Sequence, residues 1–115
     1  MTISRIIEVL EARLLTKGAD CTREVHTACG SDMMSDVLAY VKDQAVLLTG
    51  LNNPQVVRTA DMMDMICIVF VRGKCPDDML LALAEERGFA VMATDKTMFT
   101  ACGLLYSEGL RGGVG

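Results

Sequence analysis

Residues 66–88 read ICIVFVRGKCPDDMLLALAEERG, and this stretch decides the fold. Ile66 to Val71 is an unbroken apolar run rich in β-branched residues, the pattern of a strand covered on both faces. Arg72, Gly73 and Lys74 make a polar exit. Pro76, Asp77 and Asp78 then open a helix, since proline tolerates the first turn and carboxylates suit the positive end of the helix dipole. Met79, Leu80, Leu83 and Ala84 are assigned to its inner face, and Gly88 stands where a helix commonly ends. A doubly covered strand followed at once by a helix calls for parallel neighbours, because parallel strands need a crossover of this length.

The same unit recurs on both sides. Downstream, Phe89 to Ala93 reads as a strand. Thr94 or Asp95 is expected to cap a last helix with Met98, Phe99, Cys102, Leu105 and Tyr106 inward, stopped by Gly109. Upstream, Ala45 to Thr49 is a buried strand, Gly50 to Asn53 turns the chain, and Asn53-Pro54 starts a helix with Val56, Val57, Ala60 and Met63 inside. Before that, Val25 to Gly30 is a strand, and a helix from Asp32 to Lys42 carries Met33, Met34, Val37, Leu38 and Val41 on one face. A short helix over residues 2–11, with Ile3, Ile6, Ile7 and Leu10 inward, and a brief strand at Arg13 to Thr16 come first. The expected fold is α/β: a single compact domain over residues 1–115, a mainly parallel four-stranded sheet with helices on both faces, plus the short N-terminal helix and strand. The tail LRGGVG is expected to be frayed or partner-dependent.

Composition excludes several classes. With 51% apolar residues and no Trp, the core is aliphatic, with nine Met filling gaps and offering a pliable surface. The formal charge of −4, with no Lys/Arg cluster against it, argues against nucleic acid. The longest apolar stretch, Met65 to Val71, is too short to cross a bilayer, so no membrane partner is expected. The start MTISRIIEVLEAR has none of the features of a secretory signal, and a cytoplasmic location is expected. Five Cys with no C-x-x-C indicate neither a disulfide framework nor a zinc site. No cofactor or metal is expected.

In parallel sheets ligands collect beyond the carboxyl ends of the strands, near a switch in strand order, where helix N-termini also point. The candidate ligand-binding residues are therefore Gly30, Ser31 and Asp32; Thr49, Gly50, Asn52 and Asn53; Arg72 and Gly73; and Thr94 and Asp95. Lys74 and Lys96 bring further positive charge to the same rim. Helix capping competes with this reading at each loop, since one cap stabilises by about 1 kcal/mol without any ligand. Chemistry has less support. There is no G-x-x-x-x-G-K-[ST] loop and no G-x-G-x-x-G after the first strand of the unit. The only His, His26, has no sequence hint of a nucleophile or orienting partner, so no enzyme is expected.

Three markers, in order, resemble the DRTGG domain family. They are the small-SD-x-x-SDV segment at Gly30 to Val37, the strand-G-x-x-P-D-D-x-L unit at Ile66 to Leu80, and the strand-T-D-x-[ST]-x-F segment at Val91 to Phe99. The run that names the family should follow the strand ending at Thr49, and here that place reads TGLNNPQVV. The resemblance implies a compact α/β module similar to the N-terminal domain of HPr kinase/phosphorylase. Such modules occur in regulatory regions, beside CBS domains in some inorganic pyrophosphatases and in phosphate acetyltransferases. It further implies a non-catalytic role, often at a dimer interface, and a likeness to small proteins encoded alongside iron-only hydrogenases. The expected function is thus a regulatory or adaptor module acting as a homodimer, with a protein partner in a redox or hydrogenase system. Its surface would include part of Met33, Met34, Met62, Met63 and Met65. The alternative is a sensor of an adenine nucleotide or other anion at the strand-exit rim.

Overall fold

The apolar run at 66–71 forms the centre of the molecule. In the computed structural model, which describes residues 1–40 and 44–112, helix α1 (Ile3–Leu10) leads to strand β1 (Arg13–Leu14). Then follow β2 (Thr27–Gly30), α2 (Met34–Tyr40), β3 (Ala45–Thr49), α3 (Gln55–Met62), β4 (Cys67–Phe70), α4 (Asp78–Arg87), β5 (Ala90–Ala93) and α5 (Met98–Ser107). The expected end of α2, with Val41 and Lys42, and residues 113–115 of the tail lie outside the described residues.

The sheet order is β1-β5-β4-β3-β2. Strands β2 to β5 are parallel, with Val46 opposite Cys67 and Cys67 opposite Ala90. Successive strands advance one way across the sheet, so right-handed crossovers place α2, α3 and α4 on one face. The other face is covered by α1 and α5. Alternation along the strands serves the two cores. Val46, Cys67, Val69 and Met92 pack with Ile3, Ile6, Leu10 and Leu105; Leu47, Ile68, Phe70 and Val91 pack with Val37, Val57, Leu80 and Ala84.

Several expectations change. The sheet has five strands rather than four, because Arg13 and Leu14 pair antiparallel with Ala93 and Met92. Thr16 does not extend that ladder with its backbone; its buried hydroxyl accepts the Val91 N–H at 3.1 Å. The strand order does not reverse between β2 and β5, so no switch point lies among the parallel strands. The buried helix stripes are also narrower than the sequence suggests. On α5 only Ala101 and Leu105, one turn apart, are fully covered, and on α4 only Leu80 and Ala84. Phe99 (88% exposed), Tyr106, Met79, Met33 and Leu38 face outward, because among the described residues no further helix stands beside them. Met65 is buried at 2% and belongs to the core, not to a Met-rich surface. The tail is tied down as far as residue 112 is described: Leu110 is buried, and the Ala28 N–H at the β2 edge donates to the Arg111 carbonyl at 3.0 Å.

Candidate functional site

Three links join the four strand exits into one edge. The first runs from the β2 loop to the β3 loop. Asp32 Oδ1 accepts from the Thr49 hydroxyl at 3.0 Å and from the Gly50 N–H at 2.6 Å. The helix-starting role expected of Ser31 or Asp32 is not taken by a side-chain cap from either: Ser31 Oγ accepts the Met33 N–H at 2.9 Å, a turn just ahead of α2, whose first helical bond is accepted by the Met33 carbonyl. Asp32 caps nothing and instead reaches across to its neighbour. The second link is Asn52 Nδ2, which donates to the Cys75 carbonyl at 3.4 Å. The third is backbone: Arg72 N–H donates to the Lys96 carbonyl at 2.8 Å, and Gly73 N–H to the Thr94 carbonyl at 2.9 Å. Arg72 (φ 60°) and Gly73 (φ 69°) are both left-handed, and this tight exit aims both amides at the β5 loop.

Close approach explains two glycines. A Cβ on Gly50 would lie 2.6 Å from Arg72 Nη2, so the guanidinium rests directly on the β3 exit. A Cβ on Gly30 would lie 2.6 Å from Cys102 Sγ, so β2 and α5 touch there. Arg72 is exposed and takes part in no ion pair among the described residues. Asp95 is exposed too, with Oδ1 near Gly73.

All eleven sequence-selected residues therefore sit on the strand-exit edge, but not all are available there. Thr94 is 2% exposed; its hydroxyl donates to the Leu10 carbonyl at 2.7 Å, fastening the end of α1. Neither Thr94 nor Asp95 caps α5; Thr97 does, accepting from the Thr100 N–H. Asn53 Oδ1 accepts from Gln55 N–H at 2.8 Å, a local turn ahead of α3. Lys96 pairs with Glu11 at 3.2 Å, whereas Arg72, Lys74 and Arg13 are rim cations without an ion pair among the described residues. Cys75, which carries no motif signal in the sequence, stands exposed on the same edge with Arg13 Nη2 3.7 Å from its Sγ. The Arg72–Gly50 contact has no sequence signal, since it depends on two loops from different strands.

The recess of about 500 Å³ lined by Met1, Arg5, Val25, His26 and Glu108 lies at the opposite end of the strands. Its charges are largely paired internally, Arg5 with Glu108 and the terminal ammonium with Glu24. At the strand-exit edge the recess beside Leu10, Glu11, Thr94, Asp95 and Lys96 is about 200 Å³. Burial pushes the Cys67 thiol well above its ordinary range and raises those of Cys29 and Cys102. Among the described residues no three His, Cys, Asp or Glu side chains gather closely enough to hold a metal ion.

Comparison with known proteins bears on this geometry. The family model described as DRTGG domain matches residues 5–107. Among solved structures, the CBS and DRTGG domains of the regulatory region of Clostridium perfringens pyrophosphatase, crystallised with the activator diadenosine tetraphosphate, superpose with a TM-score of 0.75 at 16% identity. The superposition covers 90% of this chain and 45% of that one, so this chain spans less than half of its structural neighbour. No curated protein sequence matches.

Proposed function

The chain belongs to the DRTGG domain family, and from that premise we propose that it is a non-catalytic regulatory or adaptor module acting as a homodimer. The observation that carries the reading is the set of large apolar side chains left uncovered on the helical layer. Met33, Leu38 and Met62 are 61%, 44% and 69% exposed on or beside α2 and α3. Flexible Met side chains suit a surface that must adapt to a partner. A redox or hydrogenase system is the proposed setting for the protein partner, on the likeness noted from the sequence. Light scattering on a size-exclusion column tests the dimer: a mass of two chains is expected, falling to one in Met33→Lys/Met62→Lys. A single-chain mass for the wild type at high concentration refutes it.

A second reading, an adenine nucleotide or other anion held at the strand-exit edge, is favoured by the Arg72 guanidinium lying on Gly50 with no carboxylate among the described residues paired to it. The neighbour's crystallisation with diadenosine tetraphosphate points the same way. A ligand at a hundredfold over its dissociation constant adds about 2.7 kcal/mol to folding stability. Thermal unfolding with AMP, ATP and diadenosine tetraphosphate therefore gives a rise in midpoint if the reading holds, and none if it fails.

A further inference from the structure

We propose that the β3 exit is a site for a phosphate-sized oxyanion and that Asp32 occupies it as an internal stand-in. The inference rests on the second reading above and names what regulates that site. The donor set is the observation. The Thr49 side chain is buried, and its hydroxyl oxygen accepts the Leu51 N–H at 3.2 Å. Its proton goes to Asp32 Oδ1 at 3.0 Å. The Gly50 N–H donates to the same oxygen at 2.6 Å, a short charge-assisted bond. On the side where Gly50 lacks a side chain lies the Arg72 guanidinium, and no ion pair joins it to Asp32. A hydroxyl, an amide and a guanidinium thus surround one short segment, and one carboxylate oxygen satisfies the first two.

Asp32 is otherwise free to leave. Its side chain is exposed, it caps no helix, and Ser31 performs the local turn without it. An external pyrophosphate or nucleotide phosphate carries more negative charge than one carboxylate. It would also engage Arg72, which the carboxylate does not. The wild-type site is then self-occupied, and an incoming anion must compete with a group tethered beside it. Binding is weakened by the fraction of time the carboxylate is in place.

The test is titration of the full chain with inorganic pyrophosphate by calorimetry, with the Gly50 amide resonance followed by NMR. Asp32→Ala is expected to bind at least tenfold tighter than wild type, with the Gly50 amide shifting on titration. Asp32→Ala/Arg72→Ala loses that gain. Asp32→Asn keeps an acceptor oxygen for the Gly50 amide, guards against a variant that fails to fold, and shows a gain of the same sign. Equal affinity in wild type, Asp32→Ala and Asp32→Asn overturns the inference. So does a gain that survives loss of Arg72. Pyrophosphate binding gained on removing Asp32, with no nucleotide bound by the wild type, keeps this inference and removes the nucleotide reading. Nucleotide binding by the wild type that Asp32→Ala leaves unchanged does the reverse.

Discussion

Gly30 and Gly50 show how the same nominal clash has different consequences. At Gly50 the obstructing atom is the end of an exposed arginine, which can swing away. At Gly30 it is the sulfur of half-buried Cys102, with Met98 Sδ 3.3 Å away, and both belong to a helix packed on the sheet. Gly30→Ala is therefore expected to destabilise by about 1–3 kcal/mol, the usual cost of overpacking, while Gly50→Ala stays within about 0.5 kcal/mol. Urea denaturation measures both. Cys102→Ala in the Gly30→Ala background is expected to recover much of the loss, because it removes the atom in the way; no recovery would place the strain elsewhere. The residue scale also separates what a sequence shows from what it hides. Ser31 and Asp32 are equally good helix starters on paper, and only the approach of the β3 loop sends Asp32 across to Thr49 and Gly50.

Among the elements, α4 follows its local signals at both ends. Asp77 Oδ1 accepts the Leu80 N–H at 2.9 Å, and Gly88 closes the helix at φ 79°. Asp77→Ala is expected to cost about 1 kcal/mol in the same measurement, with Asp77→Ser restoring most of it. The β1 segment behaves differently. It is too short to hold itself, and its attachment depends on Leu15 N–H reaching the Val91 carbonyl at 2.7 Å and on Thr16 receiving the Val91 N–H. Thr16→Val removes that acceptor and leaves a buried amide without a partner, so a loss of about 1–3 kcal/mol is expected. A loss below about 0.5 kcal/mol would mean that water reaches this edge. The buried helix faces are narrower than their spacing implies for a related reason. Spacing marks which residues share a stripe, but Met79 and Phe99 are covered only if another layer exists beside the helix, and here none does.

At the scale of the whole molecule, the two cores meet across a sheet whose central strand carries Cys67, fully buried with its thiol pKa raised by desolvation. The direction of the pH effect follows. The unfolded thiol ionises near its ordinary value of about 9, whereas the folded one keeps its proton. The stability tied to the neutral buried thiol is complete below about pH 9 and declines as pH rises beyond it, by up to about 1.4 kcal/mol per pH unit for one proton. Denaturation midpoints between pH 8 and 10.5 are expected to fall, and less steeply in Cys67→Ala. An identical slope in the variant would assign the fall to other groups. In the native state at pH 8, alkylation is expected at exposed Cys75 and not at Cys67.

What the sequence alone determined was the succession of strand and helix, because hydrophobic period, caps and glycines act within a few residues of themselves. From Val25 to Ser107 that local grammar names each element to within two or three residues wherever the structure describes it. It also implies that the polar turns share one edge, since parallel strands all exit the same way. Tertiary structure decided the rest. It placed β1 against β5 rather than beside β2, since pairing of an N-terminal strand with a distant one has no local signature. It committed Thr94 to the end of α1 and laid Arg72 on Gly50. It brought the Asp32 carboxylate to the Thr49 hydroxyl and the Gly50 amide, because which loop a side chain meets is set by strand order and register.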